Sequence, residues 1–291
     1  MEVKNDRIEA LTPNFWPKLR ELFTRDWPEN QIGYFIVDDY IKWLKSDFYM
    51  KNVKLLTLNG DFSDGTFVVV DRYQLFIYTL EETNERLTKL LRLLDWKKGF
   101  IVSAFRKKFL PAVLEVIKEK KLEIEYDSEN FVHFLPKEKA TEFHLDIPEG
   151  FEIRPLSTLE HAKTANDLWA YKHDGSLFYL KRLIDLNPTM GVFIGDELIA
   201  WCFRFQSGVL GALQVKESFR KKGFGKLVTK ALCKELGKNG SDVMALVADS
   251  NEASKRTFQA LGFEIIDCCH WIKTIAKEPF DWNDLENLPN F

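Results

Sequence analysis

The amino-acid sequence predicts an α/β protein of the α+β kind, in which two similar units each hold a mixed, mostly antiparallel sheet flanked by helices. Both halves of the chain run in the same order: a meander of strands, a helix, a strand, a second helix and a closing hairpin. A length of 291 residues suits two compact domains. A polar stretch from Pro136 to Pro148 separates the halves, so we expect an N-terminal domain over 1–136, a linker over 137–150 and a C-terminal domain over 151–291.

Hydrophobic periodicity places the elements of the first half. Apolar residues at helical spacing predict a helix around Trp16–Phe23, whereas Ile36–Trp43 fits either an extended or a loosely helical structure. Apolar runs broken by polar turns predict a meander. The expected ranges are strands 55–58, 66–70, 75–78 and 100–102, helices 81–94 and 109–120, and a hairpin of 122–126 with 130–135.

The second half repeats this pattern with one difference. The expected ranges are strands 151–155, 191–194, 198–203, 209–215 and 243–247, helices ending near 169 and covering 176–186, 227–236 and 252–261, and a hairpin of 264–266 with 270–273. Between meander and helix the second half has the basic, glycine-containing Arg220–Gly225, where the first half has the acidic Thr79–Thr83. Only the second of these loops is suited to wrap a phosphate.

Composition argues against nucleic-acid and membrane partners. The 41 basic and 44 acidic residues give a net charge of -3, so no overall field attracts nucleic acid or anionic lipid. No apolar run reaches the roughly 18 residues that a membrane helix needs. The N-terminal segment Met1–Arg7 is mixed in charge and has no pattern of a targeting sequence. We therefore expect a cytoplasmic protein.

The four cysteines give no metal-binding pattern in the sequence. Cys202, Cys233, Cys268 and Cys269 form neither a CxxC pair nor a zinc-binding spacing. In a strand, Cys268 and Cys269 would point to opposite faces. The sequence thus favours reduced structural thiols and no metal, with His270 as a residue on one face of the last strand.

The loop Arg220–Gly225 has the chemistry of a pyrophosphate cradle. A helix N-terminus offers unpaired backbone N–H groups and the positive end of its dipole. Gly223 and Gly225 permit unusual backbone angles and close approach of an anion. Four basic side chains add local positive charge, on Arg220, Lys221, Lys222 and Lys226.

A second motif follows about 25 residues later. Asn251 opens a helix that runs to Leu261, and Gly262 is suited to end it. Asn251 fits two roles, a contact to a bound cofactor or a plain helix cap. The conjunction of the two motifs is more specific than either alone.

These two stretches resemble the GNAT acyltransferase superfamily. Its Q/R-x-x-G-x-G/A loop matches Arg220–Gly225, and its N-x-x-S/A segment with a Leu-Gly-Phe ending matches Asn251–Phe263. Within that superfamily, the region from Trp169 to Phe263 is similar to the glycine N-acyltransferase-like family, through Ala200-Trp201 and Gln206–Gly208 among other positions. Before Pro136 the resemblance is one of architecture only.

The resemblance implies acetyl-CoA or another acyl-CoA as co-substrate, held between the strand ending at Val215 and the strand ending near Ala248. Backbone groups of Leu213 and Val215 would pair with the pantetheine arm, and Asn251 would hold it from the other side. The implied reaction forms an amide between the acyl group and the amine of an amino acid, typically glycine. The implied cofactor-binding set is Leu213, Gln214, Val215, Arg220, Lys221, Lys222, Gly223, Phe224, Gly225, Lys226, Asn251, Ser254 and Phe258.

Two departures from the family pattern leave the catalytic base open. Val209 stands where well-studied members place a general-base Glu, and Phe258 stands where many GNAT enzymes carry a Tyr general acid. The candidate replacements are Glu217, Tyr171 and His173. Each also has a purely structural interpretation, as an exposed turn residue for Glu217 or as a helix-terminating residue for the other two.

Three functions remain in view at this point. The first is an acyl-CoA-dependent N-acyltransferase acting on a small amine. The second keeps the donor but acts on another amine or on a protein. The third is a catalytically reduced acyl-CoA sensor, which Val209 and Phe258 would suit.

The sequence contains no Gly-x-Ser-x-Gly elbow of a hydrolase and no Gly-Lys-Ser/Thr of a P-loop. The resemblance also leaves a mitochondrial location open, and the oligomeric state is not indicated.

Overall fold

The computed structural model describes residues 6–278 and 280–282. Over this range the chain divides into two compact units. The first unit contains the described residues up to Asn130 together with Asp267–Phe280, and the second contains Phe131–Ile266 with Asp281 and Trp282. No helix in the described ranges combines the length and the hydropathy that a membrane span requires.

Helices and strands alternate along the first half largely as the periodicity predicts. In chain order they are β1 (Ile8–Ala10), α1 (Trp16–Leu22), α2 (Gln31–Trp43), α3 (Asp47–Met50), β2 (Val53–Leu58), β3 (Phe67–Asp71), β4 (Gln74–Tyr78), α4 (Glu85–Leu93), β5 (Ile101–Arg106), α5 (Leu110–Glu119) and β6 (Ile124–Leu135). The ambiguous segment is helical, because Ile36, Tyr40 and Trp43 lie on one stripe and are all buried.

The second half continues with a similar order of elements. These are α6 (Lys137–Thr141), β7 (Glu152–Arg154), α7 (Leu159–Leu168), α8 (Ser176–Leu186), β8 (Thr189–Ile194), β9 (Glu197–Arg204), β10 (Val209–Val215), α9 (Phe224–Lys238), β11 (Val243–Ala248), α10 (Glu252–Ala260) and β12 (Glu264–Thr274). The predicted fold class is confirmed, since both units are mixed sheets with mostly antiparallel pairs and flanking helices.

Both predicted closing hairpins are wrong. Residues 122–135 and 264–273 were expected to fold back on themselves, whereas β6 is one strand of 12 residues and β12 is one strand of 11. Polar residues in the middle of each segment suggested a turn, but in the first unit they find partners on the neighbouring strand. The Asp127 carboxylate lies 3.0 Å from Nδ1 of His270 on β12, and the Asp267 carboxylate lies 2.5 Å from Nε of Arg106 on β5. Charges paired in this way do not need a turn to reach solvent.

The first unit has the strand order β1-β2-β3-β4-β5-β12-β6. The pairs β1–β2, β2–β3, β3–β4 and β5–β12 are antiparallel, whereas β4 and β5 are parallel. Aromatic rings fill its core, where the ring centroid of Phe23 lies 5.1 Å from that of Tyr78 and 5.6 Å from that of Phe67. The buried Tyr78 hydroxyl donates a hydrogen bond to Asn30 Oδ1 at 3.1 Å, which satisfies the polar end of this side chain.

The second unit has the strand order β6-β11-β10-β9-β8-β7. Strands β10 and β11 are parallel, whereas β10–β9, β9–β8 and β8–β7 are antiparallel. Helix α9 lies against this sheet, because Val228, Leu232 and Leu236 recur at helical spacing and are buried. The core under α9 holds the helix N-terminus in a defined place at the end of β10.

Candidate functional site

Strands β10 and β11 pair over a short distance only. Within the described chain, their register contains Val209 opposite Met244 and Leu210 opposite Ala245. Strand β10 nevertheless continues to Val215, and β11 continues to Ala248. Beyond Leu210 the facing edges of the two strands are therefore not joined by their ladder. Such an edge offers backbone N–H and C=O groups to an extended ligand.

A β-bulge explains why β10 turns away. Its pairing with β9 shifts register between Gly211 and Gln214, and Ala212 between them has a φ of 46°. A bulge inserts an unpaired residue and bends the strand that carries it. Pairing with β9 resumes at Gln214 opposite Trp201, so the bend is confined to the bulge. The edge of β10 that faces β11 is thus left outside their ladder from Gly211 to Val215.

The loop between β10 and α9 leads into an uncapped helix N-terminus near the end of β10. Helix α9 begins at Phe224, and Gly223 before it has a φ of 87° and provides no side-chain cap. Arg220 donates from Nε to the Val215 carbonyl at 3.3 Å, which ties the loop to the end of β10. The first N–H groups of the helix and its dipole are thus available to an anion. Exposed basic side chains surround them, on Arg220, Lys221, Lys222 and Lys226.

Phe224 anchors the start of this helix. Its side chain is 5% exposed, and its ring centroid lies 4.7 Å from that of Phe151. Gly225 follows, and a Cβ atom placed there would come within 3.4 Å of the Val215 side chain. The sequence motif therefore combines one buried residue that fixes the helix with small residues that leave space for the loop.

The equivalent position in the first unit is occupied by the chain itself. The Glu81 carboxylate accepts a hydrogen bond from the backbone N–H of Arg86 at 2.9 Å, in the first turn of α4. The periodicity predicted that this helix begins at Glu81. It begins at Glu85 instead, and Glu81 lies outside the helix and contacts its first turn. An acidic group already fills the place that an anion would take.

Asn251 acts as the N-cap of α10. Its side-chain oxygen accepts a hydrogen bond from the backbone N–H of Ser254 at 3.1 Å. This bond uses one lone pair of the amide oxygen, and the amide nitrogen retains donors that could hold a bound ligand. The capping role and a ligand contact are therefore compatible in one side chain.

The residues at the two departures from the family pattern are buried. Val209 is 1% exposed in the paired part of β10. Phe258 is 4% exposed, and its ring centroid lies 5.0 Å from that of Phe263. Both side chains fill the core, and neither has a group that transfers a proton.

An aromatic cluster lies at the bulge. Trp169 follows α7, Tyr179 is on α8 and Phe205 follows β9, with ring centroids 6.1 Å apart for Trp169–Tyr179 and 5.5 Å apart for Tyr179–Phe205. A Cβ atom on Gly211 would come 2.2 Å from the Phe205 ring, so the ring passes directly over this glycine. Gln214 donates from Nε2 to the Leu168 carbonyl at 2.6 Å. The bulged strand is thereby connected to the segment after α7.

The three candidate bases are placed differently. Glu217 is exposed in a short 3₁₀ turn before the phosphate loop, and Tyr171 is 62% exposed. His173 is half-buried, and its ring centroid lies 6.2 Å from that of Trp169. Its Nδ1 lies 2.8 Å from the carbonyl oxygen of Asp174, which requires a proton on Nδ1. The Tyr171 ring also contacts Trp169, with ring centroids 6.3 Å apart, but it is mostly exposed. His173 combines its contact to Trp169 with a half-buried position and a defined tautomer.

Sequence reasoning missed Tyr179 and Phe205. They belong to different elements from Trp169, and only the fold brings the three rings together. The sequence did contain one signal of this site, the glycine at position 211 within a predicted strand. A glycine in a strand often marks a β-bulge or a close contact with another residue. Gly211 lies at the bulge and also contacts the Phe205 ring.

Known proteins resemble this chain in sequence family and in fold. The model of the FR47-like protein family matches residues 190–272, which include β10, the loop Arg220–Gly225, α9 and α10. The search of curated proteins gives no match. Among solved structures, a Drosophila protein has a TM-score of 0.84 and 24% identity, over 94% of this chain and 100% of its own.

Two further structures define the fold class. A tandem GNAT protein from the clavulanic acid biosynthesis pathway has a TM-score of 0.56 and 13% identity, over 95% of this chain and 100% of its own. A GCN5-related N-acetyltransferase from Sphaerobacter thermophilus has a TM-score of 0.53 and 13% identity, over 95% of this chain and 97% of its own. The fold is that of the tandem GNAT proteins.

The close contact at Gly211 gives a test of the aromatic cluster. We expect Gly211→Ala to lower the free energy of unfolding by about 1–3 kcal/mol, because the added methyl overlaps the packed Phe205 ring. Adding Phe205→Leu should restore part of this loss, since a smaller side chain frees the space. Urea denaturation of the single and double variants measures the coupling. Strictly additive losses would contradict the packing described here.

Proposed function

We propose that this protein is an acyl-CoA-dependent N-acyltransferase that transfers the acyl group to the amine of a small acceptor, an amino acid such as glycine. The observation that carries the proposal is the uncapped N-terminus of α9, which lies at the end of a strand that has parted from its neighbour. An anion site joined to an unpaired strand edge suits a ligand with a pyrophosphate and an amide-containing arm. The GNAT fold of the chain supports the same donor.

In this proposal the pyrophosphate of acyl-CoA lies on the backbone N–H groups from Gly223 to Lys226. The basic side chains of the loop supply the remaining charge compensation. The pantetheine arm pairs with the backbone of Leu213 and Val215 along the open edge of β10, and the Asn251 amide nitrogen donates to it. Phe258 contributes only by packing, because its ring is buried against Phe263.

The reaction is a direct attack of the acceptor amine on the thioester carbonyl. A C–N bond forms, the C–S bond breaks, and the acceptor nitrogen gives up a proton. Fixing the amine against the thioester supplies a large part of the acceleration, and donors aimed at the developing oxyanion supply more. The backbone of the β10 bulge, where the register with β9 shifts between Gly211 and Gln214, is suited to supply such donors.

The aromatic cluster favours a small acceptor. Trp169, Tyr179 and Phe205 pack over the bulge, and the Gln214 hydrogen bond holds the segment after α7 close to the same strand. A site bounded in this way suits an amino acid or another small amine better than a protein chain. The choice of an amino acid such as glycine rests on the resemblance of residues 169–263 to the glycine N-acyltransferase-like family.

We assign the role of proton acceptor to His173. With Nδ1 donating to the Asp174 carbonyl, the imidazole carries its lone pair on Nε2, as a general base requires. The ring lies beside Trp169, next to the aromatic cluster at the bulge. Glu217 lies before the phosphate loop and belongs to the donor end of the site.

The alternative function is an acyl-CoA sensor without turnover. It is favoured by one observation, that Val209 and Phe258 are buried apolar residues at positions where related enzymes place proton-transfer groups. This alternative requires the same donor site but no acceptor.

The first experiment separates the two functions. Calorimetric titration with acetyl-CoA, benzoyl-CoA and longer acyl-CoA measures binding, and release of free CoA is then followed with and without a panel of amino acids. We expect binding together with release that depends on the acceptor. Binding without release for any amine would support the sensor, and no binding would contradict the donor site itself.

Gly223 tests the phosphate loop with a matched control. Gly223 and Gly240 have φ values of 87° and 79°, and an added Cβ would have no neighbour within 4 Å at either position. Valine at either site should therefore cost about 1–2 kcal/mol of stability from backbone strain. Only Gly223→Val should also weaken acyl-CoA binding, by roughly 10–100-fold, since it disturbs charge-assisted hydrogen bonds to the pyrophosphate. Equal affinities for the two variants would refute the loop as the binding site.

His173→Asn tests the base. We expect kcat to fall by roughly 10²–10⁴-fold with little change in acyl-CoA affinity, because only proton transfer is removed. His144→Asn, which changes an exposed histidine of the same unit, is the control and should leave kcat unchanged. Steady-state kinetics of both variants and of Glu217→Gln give the answer. A large loss in Glu217→Gln with normal turnover in His173→Asn would move the role to Glu217.

A further inference from the structure

A cluster of metal-ligating side chains lies in the first unit, apart from the residues used above. Cys268 and His270 are alternate residues of β12, so their side chains lie on the same face of the strand. Glu129 reaches them from β6, which is the next strand in the sheet. The Cys268 sulfur, a ring nitrogen of His270 and a carboxylate oxygen of Glu129 all lie within 4.8 Å of one another.

The spacing of these atoms approaches that of a tetrahedral zinc site. Zinc binds sulfur at about 2.3 Å and nitrogen or oxygen at about 2.0 Å, so neighbouring ligand atoms in a tetrahedron are separated by roughly 3.3–3.6 Å. Cys268 Sγ lies 3.2 Å from Glu129 Oε1, and His270 Nε2 lies 3.7 Å from the same oxygen. Small side-chain adjustments would bring the three atoms around one ion.

His270 provides the independent observation that points to a ligand. It is 6% exposed, and its Nε2 is buried without a hydrogen bond within the described part of the chain. Its Nδ1 lies 3.0 Å from the Asp127 carboxylate. A carboxylate that accepts the Nδ1 proton leaves the lone pair on Nε2, and it is the usual outer partner of a metal-binding histidine. A buried acceptor of this kind is costly unless something occupies it.

We propose that Cys268, His270 and Glu129 bind a Zn²⁺ ion, with a water molecule as the fourth ligand. A thiolate, an imidazole and a carboxylate are ligand types that zinc prefers, and the two anionic ligands neutralise its charge. Asp127 orients His270 from outside the ligand set. Glu129 is exposed, which leaves the fourth position accessible to water. The ion would join β6 to β12 within the first unit.

Two other groups bear on this site. The Lys107 ammonium lies 2.7 Å from Glu129 Oε1 and would have to release that carboxylate, which costs little because the lysine side chain is 60% exposed. A role for Cys268 as a nucleophile is not favoured, since burial and the Glu129 carboxylate raise the pKa of its thiol to about 11. Coordination removes the thiol proton directly.

Metal titration of the full-length protein tests the proposal. The protein is stripped with a chelator and titrated with Zn²⁺ against a chromophoric chelator. Co²⁺ is then added as a spectroscopic probe. We expect one equivalent of Zn²⁺ per chain and, with Co²⁺, the intense visible bands of a tetrahedral ion together with a thiolate charge-transfer band. Absence of binding by the wild-type protein would overturn the proposal.

Variants identify the ligands. Cys268→Ser, His270→Asn and Glu129→Gln should each weaken Zn²⁺ affinity by more than about 100-fold, and Asp127→Ala by about 10–100-fold, as expected for an outer partner. Cys268→Ser should also abolish the charge-transfer band.

Two matched controls should retain wild-type affinity. Cys269→Ser removes the neighbouring thiol on the opposite face of β12, and Glu125→Gln changes another paired glutamate of β6. Circular dichroism shows which variants fold. If a variant at a buried position fails to fold, Glu129→Gln still tests the ligand set, because Glu129 is exposed. Zn²⁺ binding that survives in folded Cys268→Ser or Glu129→Gln would refute this ligand set.

Discussion

The candidate site depends on one constraint in β10. This strand remains paired with β9 up to Val215 but parts from β11 after Leu210. The bulge between Gly211 and Gln214 shifts the register with β9 but does not end the strand. Strand β10 can therefore stay paired with β9 while it separates from β11. Gly211 has no side chain, so the Phe205 ring can lie over the bulge. The open strand edge and the position of the loop before α9 both follow from this local geometry.

The two units show how one architecture can be open to a ligand or closed to it. In the second unit the helix after the meander begins at a glycine with no cap, among basic side chains. In the first unit the corresponding helix receives a hydrogen bond from the Glu81 carboxylate. In the first unit the chain itself thereby satisfies the positive end of the helix dipole. In the second unit we propose that the anion of a bound ligand takes this place, since the described residues provide no side-chain cap there.

The long strands β6 and β12 give the first unit a different capability. Their side chains form pairs across the strands, among them Lys273 with Glu125 and His270 with Asp127. A cysteine, a histidine and a glutamate are thereby brought together, although Glu129 and Cys268 are 139 residues apart in the chain. The N-terminal unit, which has no phosphate loop, thus has a proposed metal-binding role in place of an acyl-CoA role.

The sequence by itself determined the fold class, most helices and strands, and the basic, glycine-containing loop before α9. These features are local, because periodicity, glycine and charge act over a few residues, and helix α8 and strand β10 have the predicted bounds. The tertiary structure alone decided that each closing segment is one strand, since the partners of their polar residues come from distant parts of the chain. It also decided the grouping of Trp169, Tyr179 and Phe205 and that of Glu129 with Cys268 and His270. Contacts between distant segments depend on how whole elements pack, and no local pattern records them.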